Sequence, residues 1–335
     1  MKVAVIGAGR IGRVHIENIA TGVREMKIKT VADPYINAEG ESFVKNFGIP
    51  VVTKNVDSVF ADPEIEAVLI CSSTDTHSDF IRKAAEAGKH IFCEKPVDHD
   101  VQRVRTALDA VKKAGVKMQI GFVRRFDHNH RAVYSAVREG KIGTPHILRI
   151  SSRDPQPPTI EYVRSSGGIF YDMMIHDFDM IRFLAGCEVT EVYAKGVVLV
   201  DPAIGAEGDV DTAIVTLTFE NGTIGVIDNS RQAVYGYDQR LEVFGSEGAV
   251  QDENDIPNTV VLSRADGTSY GTAYQVMWDR YTHAFIDEMK AFANAVVNDE
   301  VPPVTDLDGL YPVLMAAAAN KSLKEGRPVK ISEVE

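Results

Sequence analysis

The chain has 335 residues, and 44% of them are hydrophobic, which is enough apolar material for two packed domains. Its 48 acidic and 36 basic residues give a formal net charge of −12, and the basic residues form no long block, so we expect no nucleic-acid partner. The sequence contains no run of 18 apolar residues, which argues against a membrane span.

Three cysteines, Cys71, Cys93 and Cys187, have neither a disulfide pattern nor the spacing of metal ligands. Cys71 and Cys93 sit in or at the end of apolar runs, so we expect small buried side chains in a reducing compartment. The first apolar residues are too few for a secretory signal. These features predict a cytoplasmic protein.

In the first ~120 residues, apolar β-rich runs alternate with segments of helical spacing, which is typical of βαβ units with a parallel sheet. The predicted strands are Val3–Ile6, Ile28–Ala32, Ala67–Ile70, His90–Cys93 and Met118–Ile120. The predicted helices are Ile11–Ala20, Asn37–Phe47, His77–Ala87 and Asp100–Ala114. We therefore predict an N-terminal doubly wound domain over residues 1–122.

After residue 122, closely spaced strand-like runs predict a large, mostly antiparallel sheet. They are Ile147–Ser151, Val189–Leu199, Thr212–Phe219, Thr223–Asn229 and Arg240–Phe244. Helices are predicted at Gly168–Leu184, Tyr281–Val297 and Leu307–Leu323. The fold class is thus α/β with a second, α+β domain over residues 123–335.

Gly7-Ala-Gly9-Arg-Ile-Gly12 follows the first strand directly and opens a helix, the context that a dinucleotide-binding turn requires. Gly7 permits the tight turn, Gly9 lets the backbone approach a pyrophosphate, and Gly12 brings helix against strand. The alternative is an accidental glycine-rich turn. The motif predicts a dinucleotide as cofactor.

Asp33 lies at the end of the second predicted strand, about 20 residues past the Gly7–Gly12 motif, which we call the glycine fingerprint. At that position a carboxylate can bind both ribose hydroxyls and repel a 2′-phosphate. The following Pro34 and Tyr35 offer no positive charge to a phosphate. An ordinary loop aspartate is the alternative interpretation. We predict that NAD is preferred over NADP.

Lys95 follows the predicted strand His90–Cys93 and precedes Pro96, which biases the lysine toward extended backbone. Ligands of doubly wound folds gather beyond the carboxyl ends of the strands, so this lysine is a candidate catalytic residue rather than a solvated surface cation. The sequence leaves the Lys95–Pro96 bond open to cis or trans.

Asp172 and His176 lie four residues apart in a predicted helix, so they are expected to share a face. The carboxylate could then orient the imidazole and stabilise its protonated form, which suits a base that takes a proton from an alcohol. A core histidine or a surface ion pair is the alternative.

Two further clusters, His128-Asn-His130 and Asp98-His99-Asp100, contain residues that bind metals. Neither has a partner set at a recognised spacing, so we predict exposed turns or helix faces and no metal site.

Taken together, these motifs identify the chain as similar to the Gfo/Idh/MocA family of NAD(P)-dependent sugar and polyol dehydrogenases. The resemblance extends over the chain, from the glycine fingerprint through Cys93-Glu-Lys-Pro96 and Gly167-Gly168 with Asp172 and His176 to Gly326-Arg-Pro-Val329. It implies a Rossmann domain followed by an α/β domain whose open sheet makes dimer or tetramer contacts. Within the family, the stretches Gly121–Asp127, Ser152–Pro155 and Asp172–Asp179 are similar to inositol 2-dehydrogenases.

The resemblance also implies roles for individual residues. Lys95 and His176 would flank the reacting hydroxyl with Asp172 in support, while Arg125, Asp154 and Tyr235 would lie near the polyol. The cofactor contacts implied are Gly7, Gly9, Arg10, Ile11, Gly12, Asp33, Ser72, Ser73, Thr74, Glu94 and Lys95. Thr74 stands where many relatives have proline, so the local cofactor contacts are less defined there.

The expected activity is NAD-dependent oxidation of myo-inositol at one secondary hydroxyl to the inosose. The alternatives are a scyllo-inositol or aldose 1-dehydrogenase of the same family, or an NAD-sensing protein without turnover, since a fold does not fix a function.

Overall fold

The computed structural model describes all residues, 1–335, and divides them into two compact units. The first unit contains Met1–Phe126 and His283–Val313, and the second contains Asp127–Thr282 and Leu314–Glu335. The division therefore falls four residues after the predicted boundary, and a segment from the C-terminal third of the chain belongs to the first unit.

The first unit is built on six parallel strands with helices between them. The strands are β1 Lys2–Ile6, β2 Lys27–Ala32, β3 Val51–Thr53, β4 Ala67–Ile70, β5 His90–Glu94 and β6 Met118–Gly121. The helices are α1 Arg10–Gly22, α2 Ala38–Asn46, α3 Asp57–Ala61, α4 Thr74–Glu86 and α5 Val101–Ala114. A 3-10 turn, Val123–Phe126, follows β6.

The strand order of this sheet is β3-β2-β1-β4-β5-β6, the doubly wound order. The order reverses between β1 and β4, so the loops that follow these two strands lie at the edge where such folds bind nucleotides. The central strands β1, β4 and β5 are buried over nearly their whole length, which explains why they appear in the sequence as apolar runs.

The remaining elements lie wholly or partly in the second unit. The helices are α6 His128–Arg138, α7 Ile160–Ser166, α8 Ile169–Asp172, α9 Ile175–Ala185, α10 Pro202–Ala206, α11 Met277–Val297 and α12 Asp306–Glu325. The strands are β7 Pro145–Arg153, β8 Val189–Val197, β9 Thr212–Phe219, β10 Ile224–Ser230, β11 Asp238–Gly245, β12 Gly248–Asp252, β13 Val261–Arg264, β14 Gly267–Tyr270 and β15 Val329–Lys330. A second 3-10 turn covers Ile331–Glu333.

Seven of these strands form one open sheet in the order β12-β11-β7-β10-β9-β8-β15. All neighbouring pairs are antiparallel except β7 and β10, which run parallel. The predicted fold class, a Rossmann domain plus an α+β domain with a large, mostly antiparallel sheet, is confirmed. Residues along β9 alternate strictly between buried and exposed, so one face of the sheet is covered and the other is open.

Helix α11 explains why residues 283–313 belong with the first unit. Its Met289, Phe292 and Ala293 are buried in the same apolar cluster as Val5, Leu69 and Phe92 of the parallel sheet. Helices α11 and α12 both cross the division along the chain. None of the helices is long and apolar enough to cross a membrane.

Candidate active site

The glycine fingerprint forms the turn between β1 and α1. Gly7 has φ +96°, and a Cβ on it would lie 2.7 Å from the backbone of Cys71. A Cβ on Gly12 would lie 2.1 Å from the carbonyl oxygen of Gly7, so both positions require glycine. A Cβ on Gly9 would meet no heavy atom within 4 Å. Gly9 therefore leaves an open cradle at the N-terminus of α1, which fits a pyrophosphate.

The Asp33 carboxylate lies against this turn. Its Oδ2 accepts the backbone N–H of Ala8 at 2.8 Å, and its Oδ1 accepts that of Tyr35 at 2.8 Å. Each oxygen keeps a lone pair for a further donor, so the carboxylate is held where a ribose diol can bind it. The two residues after Asp33 are Pro34 and the exposed Tyr35, so neither supplies a positive charge that could bind a 2′-phosphate. The residues present fit NAD.

Ser72 and Ser73 follow β4 at the same sheet edge, and Thr74 is the first residue of α4. The Ser72 hydroxyl shares a hydrogen bond of 2.6 Å with Thr76, while Ser73 occupies the N-cap position without making a side-chain cap. Arg10 and Ile11 are the first two residues of α1. Cofactor contacts from these residues remain predictions.

His77 lies beneath this loop, and our sequence analysis assigned it no role. Its Nδ1 is 2.8 Å from the carbonyl oxygen of Pro96, and its Nε2 is 3.0 Å from that of Ser72. Burial lowers the pKa of His77, which outweighs the two carbonyls that favour the charged ring. The ring thus lies between the loop after β4 and the Lys95–Pro96 segment, whose peptide bond is cis.

Lys95 follows Glu94, the last residue of β5, and is partly exposed at the carboxyl end of the sheet as predicted. Glu94 itself is buried, and its Oε1 lies 2.6 Å from Nε2 of His15 in α1. Glu288 of α11 is fully buried nearby, and burial followed by the charge of Glu94 raises the pKa of its carboxyl well above the usual range. Neither His15 nor Glu288 was identified from the sequence.

Arg125 lies on the 3-10 turn after β6 and is buried. Its Nη2 donates to Oδ1 of Asp308 at 2.7 Å, and Oδ2 of Asp308 accepts the backbone N–H of Thr305 at 2.8 Å. Arg125 therefore has a carboxylate partner within the first unit. Its expected contact with a polyol remains a prediction.

In the second unit, the single helix predicted over Gly168–Leu184 is wrong. Helix α8 ends at Asp172 and α9 begins at Ile175, because the N–H of Met174 bonds to the carbonyl of Ile169, five residues back, and widens the turn. Asp172 and His176 thus belong to successive short helices. Gly167 and Gly168, with φ of +81° and +85°, produce the reversal before α8.

Both oxygens of the Asp172 carboxylate accept hydrogen bonds. The Tyr162 hydroxyl donates to Oδ1 at 2.6 Å, and Nη1 of Arg231 donates to Oδ2 at 2.8 Å. The same Nη1 lies 3.4 Å from Oδ2 of Asp154. The structure therefore brings Asp172 and Asp154, two predicted site residues, to one buried guanidinium that our sequence analysis missed.

Tyr235 belongs to a different polar network. Its hydroxyl donates to Asp238 at 2.6 Å and accepts from Nη1 of Arg153 at 2.9 Å. Burial, followed by the hydrogen bond to Asp238, raises the pKa of Tyr235. With 43% of its surface exposed, the ring can still contact a ligand, and its predicted role with the polyol remains a prediction.

The side chains that we weighed as metal ligands take part in structural contacts, and the predicted exposure is wrong for Asp98 and His130, which are buried. Asp98 accepts from Ser78 at 2.6 Å and from Arg103 at 2.8 Å, and Asp100 caps α5. Asp127, His130 and Asp252 have ligand atoms within 4.8 Å of one another, but Asp127 is already paired with the buried Arg280. An arginine in this position favours an ion-pair network over a divalent cation.

Comparisons with known proteins place these features in a family. Residues 1–122 match the oxidoreductase family with an NAD-binding Rossmann fold, and residues 130–251 match the GFO/IDH/MocA C-terminal domain. The chain is 46% identical to a myo-inositol 2-dehydrogenase of Thermotoga maritima, covering 100% of this chain and 99% of the relative. It is 42% identical to an inositol 2-dehydrogenase of Rhizobium meliloti, covering 99% of both chains.

Solved structures agree with these matches. A myo-inositol dehydrogenase from Corynebacterium glutamicum superposes with a TM-score of 0.92 at 37% identity, covering 98% of both chains. A scyllo-inositol dehydrogenase from Lactobacillus casei, with bound NAD(H) and scyllo-inositol, superposes with a TM-score of 0.93 at 30% identity over 99% of both chains. The chain therefore belongs to the Gfo/Idh/MocA family of oxidoreductases, which carry an NAD-binding Rossmann domain.

Proposed function

We propose that the chain catalyses the NAD-dependent oxidation of myo-inositol at one secondary hydroxyl, giving 2-keto-myo-inositol (scyllo-inosose). The observation that carries the proposal is the Asp172 carboxylate, held by Tyr162 and Arg231 beside Asp154 in a family of oxidoreductases. The inositol dehydrogenases at 46% and 42% identity over the full chain support this substrate class. In the oxidative direction, the reaction is a catabolic step.

The reaction removes two hydrogens from one carbinol. The C–H bond of the alcohol breaks as a hydride, and hydride acceptance is the chemistry that NAD supplies when bound. His176 takes the hydroxyl proton as general base, and the electron pair of the O–H bond forms the carbonyl. Asp172 orients the imidazole and stabilises its charged form, while the Lys95 ammonium polarises the same oxygen as negative charge develops.

Substrate choice rests on polar groups around the ring. A cyclic polyol presents hydroxyls on every side, and we assign their recognition to Arg125, Asp154 and Tyr235. Each hydroxyl of the wrong orientation leaves a buried donor or acceptor unpaired, at a cost of about 1–3 kcal/mol. Myo-inositol should therefore be preferred to its epimers and to linear polyols.

Scyllo-inositol is the second candidate substrate. It is favoured by the similarity to the scyllo-inositol dehydrogenase of Lactobacillus casei, although that protein is only 30% identical to this chain. The two substrates differ in the orientation of one hydroxyl, so comparing their turnover on the same enzyme preparation separates the two proposals.

We further propose that the open face of the seven-stranded sheet forms a homodimer or homotetramer contact. Ile224, Ile147 and Phe244 lie opposite one another on β10, β7 and β11, and Ile224 and Phe244 are 51% and 45% exposed. Such an apolar row on an open sheet suits a second copy of the same face. Ile224→Lys should lower the mass measured by light scattering, and an unchanged mass would remove this interface.

A cytoplasmic location is part of the proposal. All three cysteines are free, and Cys71 and Cys93 are buried in the parallel-sheet unit. Free cysteines without disulfides suit a reducing compartment.

The activity is tested by the absorbance of reduced nicotinamide on mixing the protein, NAD and myo-inositol. We expect NADH and inosose to form in equal amounts, which NMR of the product can check. An NAD-sensing protein would bind the cofactor without producing either, and that result would contradict the proposal. The His283→Ala protein is a suitable control and should keep the wild-type activity, because His283 is exposed.

A further inference from the structure

We propose that Arg231 is a positioning residue of the proton-transfer site, holding Asp172 and Asp154 on one guanidinium and offsetting their charge toward His176. The inference rests on the proposed function and adds to it a residue that the sequence motifs did not indicate.

Arg231 directly follows β10, and its position is fixed at the backbone and at the side chain. Its N–H donates to the carbonyl of Asp211 at 2.8 Å, and its side chain is only 3% exposed. Nη1 lies 2.8 Å from Asp172 and 3.4 Å from Asp154, whereas the buried Nε and Nη2 donate to no protein acceptor. The side-chain contacts of the buried guanidinium are therefore those to the two carboxylates, and they use only one of its three nitrogens.

The local charges explain why a cation is needed. Burial lowers the pKa of Arg231, but Asp172 and Asp154 raise it further, so the guanidinium stays charged. A third carboxylate, Asp209, also acts on Arg231; its Oδ1 accepts the N–H of Ile169 at 3.1 Å. Burial raises the pKa of Asp209. Three carboxylates face one cation, and removing the cation would leave them uncompensated.

The balance between the three carboxylates and the Arg231 cation affects His176, the proposed general base. A general base works best when its charged and neutral forms are both accessible near the working pH. In the proposed mechanism Asp172 supports the protonated imidazole of His176, and an excess of negative charge beside the ring would favour that form too strongly. Arg231 reduces that excess, while its bond to Oδ2 and the Tyr162 bond to Oδ1 fix the carboxylate.

The shared nitrogen also couples catalysis to binding. Asp154 is the proposed partner of a polyol hydroxyl, and Asp172 is the proposed support of the base. A guanidinium between them keeps both carboxylates in fixed relative positions, which a lysine, with one point charge, cannot do equally well.

The test compares Arg231→Met, Arg231→Lys and Arg182→Met. Arg182 is a matched control, because it is a buried arginine of α9 that donates to Glu188 at 2.6 Å through both Nε and Nη2. For each protein, kcat and KM for myo-inositol are measured from pH 5.5 to 10, and NADH binding is measured by fluorescence.

We expect Arg231→Met to lower kcat by about 10-fold or more and to move the acid limb of kcat/KM to higher pH, since losing the cation favours imidazolium. Arg231→Lys keeps the charge, so its acid limb should stay at the wild-type pH while kcat falls less. NADH affinity should change by less than about twofold in both, and Arg182→Met should keep the wild-type pH profile.

Two results would overturn the inference. Equal loss of activity in Arg231→Met and Arg182→Met, without any shift in the pH profile, would assign Arg231 a purely structural role. A wild-type kcat for Arg231→Lys would contradict the claim that the guanidinium holds Asp172 and Asp154 in fixed positions. This second comparison can be made even if Arg231→Met fails to fold. Wild-type protein that oxidises no polyol would instead remove the proposed function, and the positioning role with it.

Discussion

The two units differ in how their functional residues are distributed along the chain. In the first unit, the residues predicted to bind the cofactor lie in short local segments at strand ends: the glycine turn after β1, Asp33 after β2, and Glu94 at the end of β5 with Lys95 after it. In the second unit, the cluster around Asp172 draws on β7, α7, α8 and the end of β10. A nucleotide site can therefore be recognised from local motifs, whereas the proposed polyol site depends on distant contacts.

This difference predicts that substitutions at the reacting hydroxyl and substitutions at the ribose-binding turn affect separate kinetic parameters. The largest effect is expected at the reacting hydroxyl. His176→Ala and Lys95→Ala should each lower kcat by about 100-fold or more, because each removes a group that acts on the hydroxyl. NADH affinity, measured by fluorescence, should change little for His176→Ala. Near-normal turnover of folded His176→Ala protein across the pH range would refute the assigned base.

Substitutions at the ribose-binding turn should change the preference for the cofactor without changing the preference for the polyol. Replacing Asp33 with Ser and Pro34 with Arg removes the repulsion of a 2′-phosphate and supplies a cation to bind it. The ratio of kcat/KM for NAD over NADP should fall by about 10-fold or more, while the ranking of polyols stays the same. If the unmodified protein used both cofactors equally, the placement of Asp33 on the ribose would be wrong.

A smaller effect is expected for the Tyr235 hydroxyl, which is shared between Asp238 and Arg153. Tyr235→Phe should lower kcat/KM for myo-inositol by about 3- to 10-fold, because one hydrogen bond is lost near the substrate. Tyr270→Phe is the control, since Tyr270 is 71% exposed on the β13–β14 hairpin. Equal values for the two variants would remove Tyr235 from the polyol site.

The smallest effect concerns stability in the first unit. In the folded protein, burial followed by the charge of Glu94 raises the pKa of the Glu288 carboxyl, so the folded state binds its proton more tightly than the unfolded chain does. This contribution to stability is complete at acid pH and is lost as pH rises toward the folded pKa. Glu288→Gln has no proton to release.

The melting temperature of Glu288→Gln should therefore match the wild type near pH 4.5 and exceed it at pH 8, by about 2–4 °C for each 1 kcal/mol gained. Glu300→Gln serves as the control, because Glu300 is exposed. A constant difference between Glu288→Gln and the wild type at all pH values would show that the carboxyl does not titrate as expected.

The sequence predicted most of the parallel strands, because runs such as Val3–Ile6 and Ala67–Ile70 are continuously apolar. Ala67–Ile70 in the parallel sheet and Thr212–Phe219 in the second sheet agree with the structure at both ends. The three-residue strand β3 was missed, since Val51–Thr53 is too short for a periodic pattern. The break between α8 and α9 was also missed, because Met173 and Met174 continue the apolar pattern.

Long-range contacts explain the remaining differences. Residues 283–313 join the first unit through Met289 and Phe292, and no local signal distinguishes that burial from packing within the second domain. Arg231 directly follows β10 in a sequence without a recognisable motif, and its proposed role depends on Asp172 and Asp154, which are 59 and 77 residues away. Such pairs have no spacing that a single sequence can display.

The central claim is tested most directly by kcat/KM for a panel of polyols at saturating NAD. The panel contains myo-inositol, scyllo-inositol, other inositol epimers, glucose and a linear polyol. We expect myo-inositol to exceed every other member by about 10-fold or more, as the cost of one unpaired buried hydroxyl implies. A higher kcat/KM for scyllo-inositol or glucose would leave the family intact and contradict the proposed substrate.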